Sequence, residues 1–216
     1  MKHNLYLFSG LGADERVFAR LKFPRCNIRH IKWPRVTNGT SKELFLSEIK
    51  AQIITKKKNV LLGVSFGALV AQDIASAVSA ETLIVISSAT EQAEIPRFYK
   101  GSLAKFVLRM MPNRLLNKPN FLINHMFSVQ TNDGQKTLGD IIRDTDPTFI
   151  RWAIAYLQQW QKPNLSTVKH IYRIHGEGDR IFPNVNAAPE TSFVHGGHFA
   201  IYETADEVNR CLKLWL

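Results

Sequence analysis

The chain has 216 residues, 45% of them apolar and 21% charged, with a formal net charge of +10 at neutral pH. That length and apolar share suffice to bury one large core, and no apolar run approaches the roughly 18 residues a membrane span needs. The two cysteines, Cys26 and Cys211, pair at no metal-binding spacing with each other or with a histidine, so free thiols are expected and a bound metal is not.

Short apolar runs of strand character alternate with helical patterns over most of the chain, the signature of a parallel sheet covered on both faces. The first strand falls at about 4–9, Asn4 to Ser9. Its apolar stretch is too short for a signal peptide and no cleavage site follows, so a soluble, cytoplasmic protein without stable membrane insertion is expected. Further strands are expected at 27–33, 59–64, 82–88, 169–175 and 191–195, and helices near 14–21, 41–55, 66–79 and 204–215. Thr204 with Glu207 three residues on gives the last helix a start signal.

About 80 residues separate the fourth and fifth strands, too many for an ordinary crossover. They read as a helical cap, residues 90–163, inserted into one domain of residues 1–216. Leu103, Phe106, Val107 and Met110 follow the i, i+3, i+4, i+7 template, and Asp146-Pro147 opens a second helix as N-cap and first-turn proline. The cap is rich in large side chains such as Phe98, Tyr99, Trp152, Tyr156 and Trp160, which seat it on the sheet and could also wall a cleft.

The positive charge does not point to nucleic acid, because no binding motif accompanies it. Lys56-Lys57-Lys58 reads as a solvated loop. Arg97, Lys100, Lys105, Arg109, Arg114 and Lys118 form an acid-free stretch that could attract an anionic head group on a substrate or an anionic surface.

Gly63-Val64-Ser65-Phe66-Gly67 places a serine between a strand and a helix, where a tight turn lifts its hydroxyl clear of the sheet. A serine hydroxyl is a poor nucleophile at neutral pH and needs a base, which needs an acid to orient it. In a parallel sheet both come from loops at the C-terminal ends of strands. His198 follows the sixth strand in Gly196-Gly197-His198, and Asp179 follows the fifth in His175-Gly176-Glu177-Gly178-Asp179, with Glu177 as its competitor. His175 and His195 lie in expected strands, where side chains pack. The backbone N–H groups of Phe66 and of Leu11, in the loop Ser9-Gly10-Leu11-Gly12, are candidate donors to an oxyanion.

With these motifs the chain resembles the α/β-hydrolase-fold superfamily, over its whole length outside the cap. The order serine, acid, histidine is that family's. The resemblance implies a six-stranded parallel sheet in the family's order 4-3-5-6-7-8, with helices on both faces and the family's first two strands missing. A second departure is Ser9-Gly10, where many members carry His-Gly. It further implies a serine hydrolase that cleaves a carboxylic ester or thioester of a small-molecule acyl substrate through an acyl-enzyme, with no cofactor. The same three residues also serve carbon–carbon hydrolysis, lyase or haloperoxidase-like chemistry, or a slow hydrolase-like ligand receptor, because a fold does not fix a function. The sequence leaves the oligomeric state open.

Overall fold

The computed structural model describes residues 3–37, 39–54, 59–96, 112, 117–183, 185 and 188–216. Six strands, β1 (His3–Phe8), β2 (Cys26–His30), β3 (Asn59–Val64), β4 (Ala80–Ile86), β5 (His170–Gly176) and β6 (Thr191–Val194), form one sheet in the order β2-β1-β3-β4-β5-β6. Every neighbouring pair is parallel. That is the expected sheet and order, each strand lying within two or three residues of its expected bounds.

Strand alternation divides the core in two. Tyr6, Phe8, Leu61, Leu83 and Val85 face α1 (Lys42–Lys50), α2 (Phe66–Ala75) and Phe149, Ala153 and Leu157 of a later helix. Leu5, Leu7, Leu62, Ile84 and Ile174 face the opposite layer, made by the 3-10 turn Glu15–Phe18 and the C-terminal helices. Buried on both faces, the central strands are nearly continuous apolar runs, as parallel strands must be.

Between β4 and β5 lie three described helices, α3 (Phe121–Phe127), α4 (Asn132–Asp144) and α5 (Pro147–Gln159). The start of α5 is the one read from the sequence: Asp146 caps it through the Thr148 N–H at 2.8 Å, with Pro147 in the first turn. Its aromatic face seats it on the sheet side. Trp152 lies 4.4 Å from Phe45, ring centre to ring centre, and Tyr156 5.3 Å from Phe66. Tyr156 also hydrogen-bonds the Asp73 carboxylate, which Lys42 Nζ meets at 2.8 Å, so α1, α2 and α5 share one polar anchor. Residues Leu103 to Met110 and the basic positions Arg97, Lys100, Lys105, Arg109 and Arg114 lie outside the described residues.

Three helices are shorter than expected; the one expected over 66–79 stops at Ala75, ahead of Ser79, whose φ of 53° lies in the left-handed region. Over 14–21 only one 3-10 turn forms, because Asp14 bonds the Arg16 N–H and guanidinium locally and only Val17 and Phe18 have apolar burial to gain. The helix expected over 41–55 stops at Lys50, and the Tyr6 hydroxyl accepts the Ile54 N–H at 3.0 Å as the chain turns toward β3. The chain ends in α6 (Ala200–Glu203) and α7 (Ala205–Trp215). Thr204 and Glu207 do stand at the start of α7, but they bond outward. The Thr204 hydroxyl donates to the His195 carbonyl at 2.8 Å, and Glu207 accepts the His195 N–H at 3.0 Å. Among the described residues no helix is long and apolar enough to cross a membrane.

Close approach at one point sets how far α2 can descend on the sheet. A methyl at Gly67 would stand 2.1 Å from the Ser9 carbonyl oxygen, a backbone atom that cannot swing away. Gly67→Ala is therefore expected to lower unfolding free energy by about 3 kcal/mol in urea melts. Gly39→Ala, with nothing within 4 Å, should stay within about 0.5 kcal/mol of the parent.

Candidate active site

Where β3 gives way to α2, Ser65 adopts φ 52° and ψ −122°. A non-glycine residue there is strained by about 1–3 kcal/mol, so neighbours must impose the conformation. The Ser65 N–H donates to the Ile86 carbonyl at 2.9 Å, and the Ser65 carbonyl accepts from the Ala68 N–H at 3.0 Å. The Ser88 hydroxyl donates to the same carbonyl at 2.8 Å. Sequence reading does not single out Ser88; its only signal is its place just past β4.

The loops after β5 and β6 bring Asp179 and His198 to this serine. Both are buried, at 4% and 3% exposure. Asp179 Oδ1 accepts the N–H groups of Ile181 at 2.8 Å and Phe182 at 2.9 Å, which leaves Oδ2 for His198 Nδ1 at 2.9 Å. An ionised carboxylate can only accept, so Nδ1 carries the proton and Nε2 of the neutral ring is an acceptor. The Ser65 hydroxyl lies 2.9 Å from that Nε2 and donates to it. Phe127 meets the imidazole edge-on at 5.1 Å between ring centres, and Phe182 packs at 5.8 Å.

Of the other candidates, Glu177 is exposed and lines a separate surface cleft of about 740 Å³ with Asn124 and Arg180. His175 is buried, its Nε2 3.0 Å from the Phe182 carbonyl and 3.5 Å from Asp179 Oδ2. Burial holds its pKa below the ordinary histidine value. His195 does not pack as its strand position implied: it is exposed and pairs with Glu207 at 3.0 Å, because β6 stops at Val194.

Phe66 is the first residue of α2, where backbone N–H groups have no intrahelical acceptor. Leu11 lies in the loop after β1, and a methyl on neighbouring Gly10 would be only 3.7 Å from Ser65 Cβ. Both residues line, with Ser65 and His198, a cavity of about 230 Å³. Phe127, Ile141, Ile150 and Leu157 supply much of the rest, and no described lining residue is an Asp, Glu, Lys or Arg. Among the described residues no group of three or more His, Cys, Asp or Glu side chains gathers to hold a metal ion.

Solved structures share this arrangement of strands and helices. A thermophilic esterase from Thermogutta terrifontis superimposes with a TM-score of 0.70 at 16% identity, over 99% of this chain and 89% of its own. The enol-lactonase from Burkholderia xenovorans LB400 does so at 0.70 and 13% identity, over 100% and 91%. The chain has the α/β-hydrolase fold. A third α/β-hydrolase-fold structure, MenH from S. aureus, gives 0.67 at 15% identity, over 100% and 94%. No family model and no curated protein matches the sequence.

Burial pushes the Asp179 carboxyl up, but the charge and hydrogen bond of His198, with the Phe182 N–H, outweigh it and leave the pKa below the ordinary aspartate value. Stability from the ionised group is therefore complete above the ordinary value of about 4 and fades as pH falls through the lower folded one. Asp179→Asn is expected to destabilise the protein at pH 7 by about 1.5–3 kcal/mol, and the difference should narrow below about pH 4. A gap in denaturation midpoint that stays constant from pH 7 to pH 3 would contradict an ionised Asp179.

Proposed function

We propose that the protein is a serine hydrolase that cleaves a carboxylic ester or thioester through an acyl-enzyme on Ser65. The observation that carries this reading is the 2.9 Å bond from Ser65 Oγ to His198 Nε2, made at the wall of an apolar cavity. His198 takes the hydroxyl proton as Oγ attacks the acyl carbon, and Asp179 stabilises the imidazolium that forms. The Phe66 and Leu11 N–H groups receive the oxyanion. His198 then protonates the leaving alcohol or thiol, and the same cycle with water releases the acid. No cofactor enters the scheme.

Helices α3 to α5 act as a cap over the serine, and they divide their side chains between two tasks. Trp152 and Tyr156 seat α5 against Phe45 and Phe66, whereas Phe127, Ile141, Ile150 and Leu157 line the cavity. The described part of the wall carries no charged side chain and is mostly aliphatic and aromatic, which suits an uncharged acyl chain. Cavities of about 150 Å³ lined by aliphatic and aromatic residues take benzene, so one of about 230 Å³ accommodates about nine non-hydrogen atoms. An acyl chain of about eight carbons fits.

Among 4-nitrophenyl esters, kcat/KM should rise about 4-fold per added methylene, up to a chain of about eight carbons, and level off or fall beyond it. Ser65→Ala should lower it at least about 10⁴-fold for every ester. Full turnover by Ser65→Ala would remove the serine mechanism, and a preference for acetate over octanoate would remove the cavity as the acyl site.

A further inference from the structure

The loop that carries the Leu11 N–H has an anchoring system of its own. Ser9 is 4% exposed, and its hydroxyl is used in both directions. It donates to the Ala13 carbonyl at 2.6 Å and accepts from the indole N–H of Trp33 at 3.0 Å. Ala13 in turn donates its N–H to the Gly10 carbonyl at 3.0 Å. The Gly10 carbonyl and the Leu11 N–H belong to one planar trans peptide unit, so fixing the carbonyl fixes where the N–H points. The Gly12 carbonyl, two peptide units further on, lies 3.1 Å from the Thr145 hydroxyl, whose proton it shares with the Ile141 carbonyl at 2.7 Å. The carbonyls of residues 10, 12 and 13 are thus all bonded, and the peptide unit bearing the Leu11 N–H cannot turn without breaking one of these bonds.

Trp33 also reaches the second donor. Its ring packs 5.5 Å from that of Phe66 and is held from behind by Phe45 at 5.9 Å and Phe149 at 5.9 Å. One side chain therefore touches both segments whose N–H groups face the proposed oxyanion. Thr145 stands between α4 and α5, so the cap segment holds the same loop from the opposite side.

We propose that Trp33, acting through the Ser9 hydroxyl, is a positioning residue that aims the Leu11 N–H at the oxyanion. The inference rests on the proposed acyl-enzyme reading. It accounts for the serine at position 9: a hydroxyl that donates and accepts at once joins the loop to an indole N–H, and Trp33 takes over the outer end of the anchor.

The test compares Trp33→Phe and Ser9→Ala with the wild type on 4-nitrophenyl octanoate, with Trp152→Phe as control. Trp152 donates its indole N–H to the Thr40 carbonyl at 2.8 Å, so the control loses an equivalent bond that touches neither oxyanion segment. Trp33→Phe keeps an aromatic ring in the cluster and removes the N–H donor, and the ring volume it also loses is matched by the Trp152→Phe control. The expected result is a fall in kcat of about 10-fold for Trp33→Phe and about 10- to 100-fold for Ser9→Ala, smaller than the loss of a whole oxyanion donor. KM should move less than about 3-fold, and the Ki of an alkyl boronic acid should rise in step with the fall in kcat. The double variant should lose no more than Ser9→Ala alone, because the two act through one hydroxyl. Trp152→Phe should keep kcat within about 2-fold. Wild-type kcat in both Trp33→Phe and Ser9→Ala, or equal losses in Trp33→Phe and Trp152→Phe, overturns the positioning role and leaves the serine mechanism standing. A wild-type protein that hydrolyses no ester overturns both.

Discussion

The backbone of Ser65, at φ 52° between two glycines on top of a parallel sheet, is the constraint on which the rest of the site depends. A serine does not adopt that conformation unaided, and the energy that holds it comes from hydrogen bonds to β4 and to Ser88 and from the descent of α2 onto the Ser9 backbone. The strain has a geometric return. It sets the hydroxyl above the C-terminal ends of the strands, where the loops after β5 and β6 deliver a carboxylate and an imidazole, and it leaves the N–H of Phe66 at the start of a helix.

The carriers of the site differ in how they are secured. Asp179 is bonded by the N–H groups of its own loop, so its orientation is local. His198 depends on more distant supports: Thr204 and Glu207 hold His195 on the entry side of its loop, the Phe199 N–H donates to the Phe127 carbonyl at 3.1 Å, and Phe127 covers the ring. The base is thus fixed partly by α7 and partly by the helical segment that also lines the cavity. A change at Phe127 can therefore alter both the cavity wall and the alignment of the imidazole.

Much of this was legible in the sequence, and the reasons are physical. Alternating apolar strands and helical runs gave a parallel sheet covered on both faces, since a strand buried on both sides must read as apolar, while the strand order followed from the resemblance to the fold family. The glycines around Ser65, and those beside Asp179 and His198, marked the three loops because tight turns and close backbone approach restrict residue choice. What stayed hidden depended on contacts between distant segments. Nothing local says that Trp33 meets Ser9, that Ser88 meets the Ser65 carbonyl, or that Thr145 reaches Gly12; each bond joins residues from different elements. The same limit made Thr204 and Glu207 look like a local helix cap when they bond the histidine loop. The cap aromatics resisted reading for a related reason: seating on the sheet and lining a cavity demand the same residue types, and only packing separates Trp152 from Phe127.

The central claim is that Ser65 is a nucleophile activated by its neighbours, not a turn residue. It is tested most directly by treating the folded protein with an alkyl fluorophosphonate and mapping the modified peptide by mass spectrometry. The account predicts one phosphonyl group per chain, on Ser65, in the wild type, and a large loss of its rate of attachment in His198→Ala. Protein that stays unmodified, or that is modified on another residue, would contradict it.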